Sequence, residues 1–385
     1  MTGDAYVAGV GMHPFGRWPD ASMRTMASEA VLQAVGDAQL TVRDIQVAYF
    51  ANSLGGLLTG QESIRGQVSL HDVGIRDIPI INVENACASG STALWLAIRA
   101  VRSGEFRVAL AVGVEKMFVG DTQRTLSALQ TAADTEATAG QGLQFVALYA
   151  MRLEEAIRTG ALTTEHLAKV TTKNKRNGSL NPYAQFRKLM TEGEVLAGRP
   201  IAGPLTLPMV SAISDGAAAV IVTASPGSNG AVRVRASVLS SGAVDGLGEL
   251  VVRRAIALAY EEAGIGPEEL NVAEVHDAVS PAEFFRYEEM GLCPAGGAGE
   301  LFDSGATGLS GRIPVNPSGG LSARGHPVAA TGLAQISELA WQLRGQAGAR
   351  QVTGARIAFA QNSGGWLDGD AAACAVHILE ATNAA

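Results

Sequence analysis

Apolar positions along this chain come in short runs of strand length, each followed by a stretch in which they recur every three or four residues. Ala5 to Met12, Val47 to Ala51, Ile78 to Val83 and Arg107 to Val114 predict strands, the third of them mostly apolar and therefore buried. Met23 to Asp37 predicts a helix, and Ala93, Leu94, Ala97, Ile98 and Val101 recur at helical spacing. From Phe118 to about Pro208 the period weakens. Residues Ala132 to Gly142 are small or polar, Gln144 to Gly160 and Thr164 to Asn174 predict helices, and Thr172 to Tyr183 reads as a basic, turn-rich loop. Asp215 to Thr223 returns to a buried strand.

Val232 to Ser240 opens a second pass through the same plan. A helix over Glu249 to Ala263, a strand over Val272 to Val275 and a helix over Ser280 to Met290 follow. Ile313 to Asn316 leads through a Gly-rich turn to a long helix ending at Leu343, and Ala355 to Gln361 and Asp370 to Leu379 predict the last strands. The run from Asp215 to Val222 resembles the run from Asp368 to Val376, each closing its half. Strand, turn and helix with a reactive residue at the turn also occur twice, at Cys87 and before His326. An α/β fold with an internally duplicated β/α unit is the simplest account. The division expected is residues 1–228 and 229–385. The weak-period segment, about 118–208, is then a loop domain inserted in the first copy, where a ligand lid would sit.

Composition narrows the function classes. The 385 residues are 47% hydrophobic and only 5% aromatic, with 46 glycines, which suits tight packing of helices on sheets. A net charge of −8 argues against nucleic acid as a partner, because phosphate binding needs a basic surface. The three cysteines, Cys87, Cys293 and Cys374, are too widely spaced for a disulfide framework or a zinc site. No metal or redox cofactor is expected. The N-terminus lacks a signal-peptide pattern, no apolar run is long enough to span a bilayer, and the C-terminus lacks a peroxisomal ending, so a soluble cytoplasmic protein is expected. Gly9, Val10 and Gly11 suggest a dinucleotide loop, but Pro14 stands where the third glycine belongs.

Cys87 lies where a strand hands over to a helix, between the small residues Ala86, Ala88, Ser89 and Gly90. Free amides at a helix N-terminus favour negative charge, so its thiol is expected to ionise readily. His276 and His326 follow apolar strands, at positions a parallel sheet brings to one edge. A thiolate beside one histidine makes a nucleophile–base pair, and a second histidine can donate to a developing oxyanion. Gly319, Gly320, Gly325, Gly364 and Gly365 would let backbone approach a ligand. Lys173, Lys175 and Arg176 are candidates to clamp an anionic cofactor tail, with Ser318 and Gly319 as further cofactor contacts. His13, His71, His166 and His377 lack such context, and Cys293 and Cys374 read as core.

Together these residues resemble the thiolase superfamily over the full length of the chain. Asn85 to Gly90 looks like its nucleophile turn, and Asn316 to Pro327 looks like its general-base motif. His276-Asp277-Ala278 is similar to the His-Asp motif of the sterol-carrier-protein-x, or lipid-transfer, branch, as are Lys173-Asn174 and Asn181 to Gln185. The resemblance implies a five-layer αβαβα fold of two similar halves, a loop domain over coenzyme A, and at least a homodimer. It implies ping-pong chemistry. Cys87 attacks the ketone of a 3-oxoacyl-CoA, His326 activates Cys87, and His276 with His326 holds the enolate's thioester oxygen. The amides of Cys87 and Gly364 hold the tetrahedral oxyanion, and free coenzyme A collects the acyl group. The branch further implies bulky substrates, whether branched, steroid-derived or aromatic, a degradative role, and for some members a small partner with a zinc ribbon and an OB fold. Substrate choice would lie in residues such as Phe118, Phe145, Tyr149 and Phe284.

One departure stands out. The family's second, proton-shuttling cysteine is absent from both of its usual places, which here hold Ala278 and Asn362. Enolate protonation then falls to His326, His276 or a water, or the reaction differs. Ketosynthase-like condensation is the alternative activity, and a non-catalytic acyl-CoA-binding subunit is the alternative class.

Overall fold

The computed structural model describes residues 3–138, 144–227, 230, 232–242 and 250–382. In chain order its strands are β1 (Tyr6–Gly16), β2 (Val47–Ala51), β3 (Ile80–Val83), β4 (Val108–Glu115), β5 (Pro200–Ala202), β6 (Leu205–Thr206), β7 (Asp215–Thr223), β8 (Val232–Ser241), β9 (Val272–Glu274), β10 (Ile357–Gly364) and β11 (Ala373–Ala381). Nine of them form one sheet in the order β3-β2-β4-β7-β1-β8-β11-β10-β9, and β5 pairs with β6 apart from it.

That order is one pattern used twice. Outward from the middle, the first half runs β1, β7, β4, β2, β3, its first, fifth, fourth, second and third strands. The second half runs β8, β11, β10, β9, and an isolated parallel bridge from Ala273 to Val315 supplies the missing third position. Within the sheet, among the described residues, the halves pair where Tyr6 and Val7 meet Arg233 and Val232. The division expected at 228/229 lies outside the described residues.

Layering follows from alternation along each strand. In β7, Ala217, Ala219 and Ile221 face the helix Met23–Asp37 on the outside of the first half. Ala218, Val220 and Val222 face inward, toward Leu94 and Ile98 of helix Ser89–Arg102 and Leu333 and Ile336 of helix Thr331–Leu343. Those two helices also touch Ala358, Ala360 and Leu379 of the second half, so they form a shared central layer. Helix Val251–Ala263 covers the outer face of the second half, over Phe359, Val376 and Ile378. The result is five layers, αβαβα. The small residues permit the close spacing: a Cβ on Gly9 or Gly11 would collide with Ala34 O or Ala30 O of the covering helix. That packing is what the apparent dinucleotide glycines serve.

Two expectations are corrected. The strand at Ile78 to Val83 shrinks to β3, an edge strand whose Ile81 and Asn82 are exposed rather than buried. Apolar composition does not by itself distinguish a central strand from an uncovered edge. The basic stretch from Thr172 is mostly not loop, since helix Thr164–Ser179 runs through it, capped by the Thr163 hydroxyl accepting from the His166 amide. Its polar residues misled because Asn174, Lys175 and Asn177 are buried against polar partners. This helix and helix Phe145–Arg158, though inserted in the first copy, pack on the outer core of the second half through Leu153, Leu167 and Val170.

Candidate active site

Beyond β3 the chain makes a strained turn, with Ala86 at φ +48° and a 3-10 turn over Ala86–Ala88 that feeds helix Ser89–Arg102. Side chains hold it there. The Glu84 carboxylate accepts from the Ala86 amide at 2.7 Å, and the Ser89 hydroxyl accepts from the Asn85 amide at 2.8 Å while donating to Ala86 O at 2.6 Å. Cys87 thus sits half-buried on a fixed corner.

Three close approaches bring the second half to this corner. A Cβ on Gly364 would collide with Asn85 O, so the end of β10 lies directly against the turn. Gly90 and Gly113 likewise admit Ala329 O, seating the segment after His326 on the start of the Cys87 helix. Ser91, one turn into that helix, donates to Asn362 Oδ1 at 3.3 Å.

The two histidines arrive with their rings 5.2 Å apart and at 81°. His326 follows Gly325, which has φ +102°, and donates its amide to Ser214 Oγ at 2.9 Å. Its Nδ1 is 2.6 Å from Thr331 Oγ1, whose own hydroxyl donates to Pro327 O at 3.1 Å. With the Thr331 proton assigned to Pro327 O, Thr331 accepts from His326, and this assignment puts the His326 proton on Nδ1 and leaves Nε2 as a base. His276 is set the opposite way. Ser91 orients the Asn362 amide, whose Nδ2 donates to His276 Nδ1 at 3.1 Å, so His276 carries its proton on Nε2. One imidazole is ready to take a proton and the other to donate a hydrogen bond.

Electrostatics keep both neutral. Burial, with Arg324 nearby, lowers His326 to about 3. Burial, His326, Arg286 and Arg324 hold His276 well below its ordinary value. The Cys87 thiol goes opposite to the helix-terminus expectation. Burial and the Glu115 and Glu84 carboxylates push it up to about 12, against the amides of Cys87 and Gly365. Burial outweighs the dipole of the helix that begins two residues later, and Glu115, fully buried at the end of β4, adds to burial's effect. Cys87 rests as a thiol and needs its base.

The expected cofactor contacts are placed differently. Lys173 Nζ is paired with the buried Glu283 carboxylate and donates to Val315 O at 2.6 Å. Lys175 Nζ donates to Ser322 O at 2.5 Å, and burial lowers its pKa to about 8. The Ser318 hydroxyl donates to Glu274 at 2.7 Å, and Gly319 packs on the backbone of Gly178. Lys173, Lys175 and Gly319 are occupied in locking helix Thr164–Ser179 to the segment that carries His326, alongside Asn177 to Asn316 O and Asn181 to Ser318 O, while Ser318 ties that segment to β9. Of the three basic candidates only Arg176 is exposed. Asp277 joins the same lock, accepting from Leu321 N at 2.8 Å and Asn174 at 3.1 Å. Phe284 is core, packed against Tyr287 and Phe302, whereas Phe118, Phe145 and Tyr149 stay partly exposed.

The thiolase N-terminal domain family matches residues 5–195, and the thiolase C-terminal domain-like family matches residues 239–380. The chain belongs to the thiolase family. An acetyl-CoA acetyltransferase of Methanothermobacter thermautotrophicus is 40% identical over 98% of this chain and 99% of its own. The benzoylsuccinyl-CoA thiolase subunit BbsB of Thauera aromatica is 36% identical over 94% of each chain. Human sterol carrier protein 2 is 34% identical over 93% of this chain and 69% of its own length. Among solved structures, the Ltp2-ChsH2(DUF35) aldolase superposes with a TM-score of 0.81 at 22% identity, covering 99% of each chain. Human mitochondrial 3-ketoacyl-CoA thiolase superposes with a TM-score of 0.74 at 16% identity over 99% of each chain, which bears out the thiolase fold. The chain is accordingly an acyltransferase of this family, similar to the sterol-carrier-protein-x type.

Sequence reasoning missed Thr331, Asn362, Gln361 and Glu115. Asn362 registered only as an absent cysteine, yet it sets the tautomer of His276, and Gln361 accepts from the His276 amide at 3.1 Å. Asn362 and Gln361 act on a histidine more than 80 residues away, which no local pattern reveals. No helix among the described residues is long and apolar enough to cross a membrane.

Proposed function

We propose that this thiolase cleaves a bulky, branched or aromatic 3-oxoacyl-CoA with coenzyme A through an acyl group carried on Cys87, in a degradative role. The observation that carries the proposal is the pair of buried imidazoles 5.2 Å apart, one with Nδ1 on Thr331 and the other with Nδ1 on Asn362, which assigns them opposite tautomers. His326 Nε2 takes the Cys87 proton and the sulfur attacks the 3-keto carbon, with amides of the Cys87 and Gly364–Gly365 region facing the oxyanion. The bond between C2 and C3 then breaks, leaving the acyl group on sulfur and the electron pair on the departing acyl-CoA enolate. His276 Nε2–H donates to the enolate oxygen, and His326 returns the proton it took to C2. In the second half, His326 takes the proton of coenzyme A, the coenzyme A sulfur displaces Cys87, and the proton goes back to Cys87. Every proton is accounted for with one histidine cycling, so the missing second cysteine leaves no gap in this scheme.

The bulky acyl group rests on the relatives named for benzoylsuccinyl-CoA and for sterol carrying, and coenzyme A rests on a thiolase neighbour solved in complex with it. The thiolase acts as a homodimer or higher assembly in the cytoplasm, joined through β3, whose exposed edge presents Ile81. A small zinc-ribbon and OB-fold partner subunit is supported by the DUF35-containing neighbour and by the subunit designation of BbsB. The two halves divide at about residue 228, with 118–208 as the loop domain.

Initial-rate kinetics test the reaction. Varying 3-oxoacyl-CoA and coenzyme A together is expected to give parallel double-reciprocal lines, and Cys87→Ser is expected to lose at least about a thousandfold in kcat. Turnover that needs no coenzyme A, or that survives in Cys87→Ser, overturns the proposal. Sedimentation of the purified chain, alone and with a co-expressed partner, tests the assembly: a monomer throughout contradicts it.

A further inference from the structure

The string at 181–185 resembles the lipid-transfer branch, yet the chemistry above makes no use of it. It lies along the segment that carries His326 and is fastened there at both ends. Asn181 Nδ2 donates to Ser318 O at 3.0 Å, near the start of that segment. Near its end the amides of Gln185 and Phe186 donate to Arg324 O and Ala323 O, each at 3.0 Å. Between these points Tyr183 stacks on Trp341, with ring centroids 5.0 Å apart, and its carbonyl accepts from the Phe15 amide at 3.0 Å.

One side chain of the string reaches further. Gln185 Nε2 donates to Ile213 O at 3.3 Å, and because that carbonyl can only accept, Oε1 is left to face the Ser214 hydroxyl, which donates to it. Ala212 O, at 2.9 Å, is a second acceptor for the same hydroxyl. The lone pairs of Ser214 Oγ stay free, and they accept from the His326 amide at 2.9 Å. The fit is tight as well as polar. A Cβ on Gly325 would lie 2.6 Å from Ser214 Oγ and 2.9 Å from Gln185 Oε1, so the pair stands against the backbone immediately before His326. Ser214 is itself fully buried, and Asp215 beside it is fixed by the amides of Trp18, Met117 and Phe118. His326 is therefore pinned twice, at its backbone by Ser214 and at Nδ1 by Thr331. A buried amide left without its acceptor is costly, and a turn that loses one shifts to satisfy it.

We infer that Ser214, seated by Gln185 of the inserted segment, is a positioning residue that holds His326 in place as the base. The inference rests on the thiolytic reading, which gives His326 that role. A misplacement of about 1 Å costs a reacting group about 100-fold, so loss of the Ser214 hydroxyl is felt in the chemical step and not in substrate binding.

The test reads the rate at which a 3-oxoacyl-CoA acylates Cys87, by intact-protein mass spectrometry over seconds to hours, together with steady-state kcat and KM. The variants are Ser214→Ala, Gln185→Leu and His326→Ala, and each of the first two combined with His326→Ala. Ser214→Ala is expected to slow acylation about 30- to 100-fold and Gln185→Leu about threefold to tenfold, with KM for coenzyme A within about twofold of the wild type. In the His326→Ala background neither substitution is expected to slow acylation further, because the residue they position is gone, whereas a merely structural role slows both backgrounds alike. Ser214→Ala acylating at the wild-type rate, or costing as much without His326 as with it, overturns the inference and leaves thiolysis standing. A raised KM for coenzyme A with kcat unchanged overturns it too. If Ser214→Ala does not fold, the same outcomes are read in Gln185→Leu, whose side chain is only half-buried. His326→Ala acylating at the wild-type rate overturns the thiolytic reading and the inference with it.

Discussion

A thiol pushed up to about 12 is a poor nucleophile until a base reaches it, and the group most responsible after burial is Glu115. That carboxylate is raised by burial to about 7 even though it accepts from the Ser53 and Leu54 amides. Above pH 7 it is ionised and opposes a thiolate. Glu115→Gln is therefore expected to speed iodoacetamide alkylation of Cys87 at pH 8 by about threefold to tenfold, with one pKa unit worth tenfold in thiolate. Slower alkylation would show that Glu115 does not act on Cys87 in this way. Asn362 makes a second case. Asn362→Ala frees His276 to change tautomer and is expected to lower kcat about 10- to 100-fold with KM little altered, in steady-state assays. Cys87, His276 and His326 were legible from the chain because each stands in a recognisable local string. Asn362 and Glu115 were not, because their effect is exerted on a side chain brought from elsewhere.

The helix Thr164–Ser179 shows how an element can be misread while its importance is read correctly. A basic stretch is solvated, or grips an anion, in most surface contexts, and Lys173 and Lys175 were assigned on that footing. Buried acceptors decide otherwise: Glu283 is fully buried, and Lys173, Asn174 and Asn316 together satisfy it. Lys173→Met leaves that carboxylate short of its cation and is expected to destabilise the chain by about 3–5 kcal/mol, seen as a lower thermal midpoint. A coenzyme A clamp would instead raise KM for coenzyme A and leave the midpoint unmoved. The strand pattern was more readable than the helices of this segment, since the unbroken apolar run Ala217 to Val222 in β7 declares two covered faces. Edge position in β3 is not a property of its own residues and could not be read from them.

Across the whole molecule, two repeats of one strand order press a pair of central helices together, and the reactive turns of both copies end up on one corner. The duplication was legible because its closing strands nearly repeat in sequence. The tilt of charge toward acid was legible too, but not that so many titratable groups are buried. Those groups set the pH response. His326 and His377 are lowered to about 3 and about 4, so the unfolded chain binds protons first as pH falls below 6.5, and their contribution to stability is lost through that range. Glu115 and Glu274, raised to about 7, act oppositely: they favour the folded state below 4.5, and that contribution is lost as pH rises through 7. The two sets offset each other between 4.5 and 6.5. Below 4.5 the histidines dominate, and stability is expected to fall by about 1.4 kcal/mol per pH unit for each uncompensated proton. Chemical denaturation at a series of pH values checks this, and stability level from pH 4.5 to 3.5 would contradict it.

The most direct measurement is intact-protein mass spectrometry after mixing the chain with 3-oxoacyl-CoAs, with and without free coenzyme A and beside Cys87→Ala. The account predicts an acyl adduct on Cys87 that clears when coenzyme A is added and never forms on the variant. No adduct, or one that clears only with a malonyl-type acceptor, would contradict it.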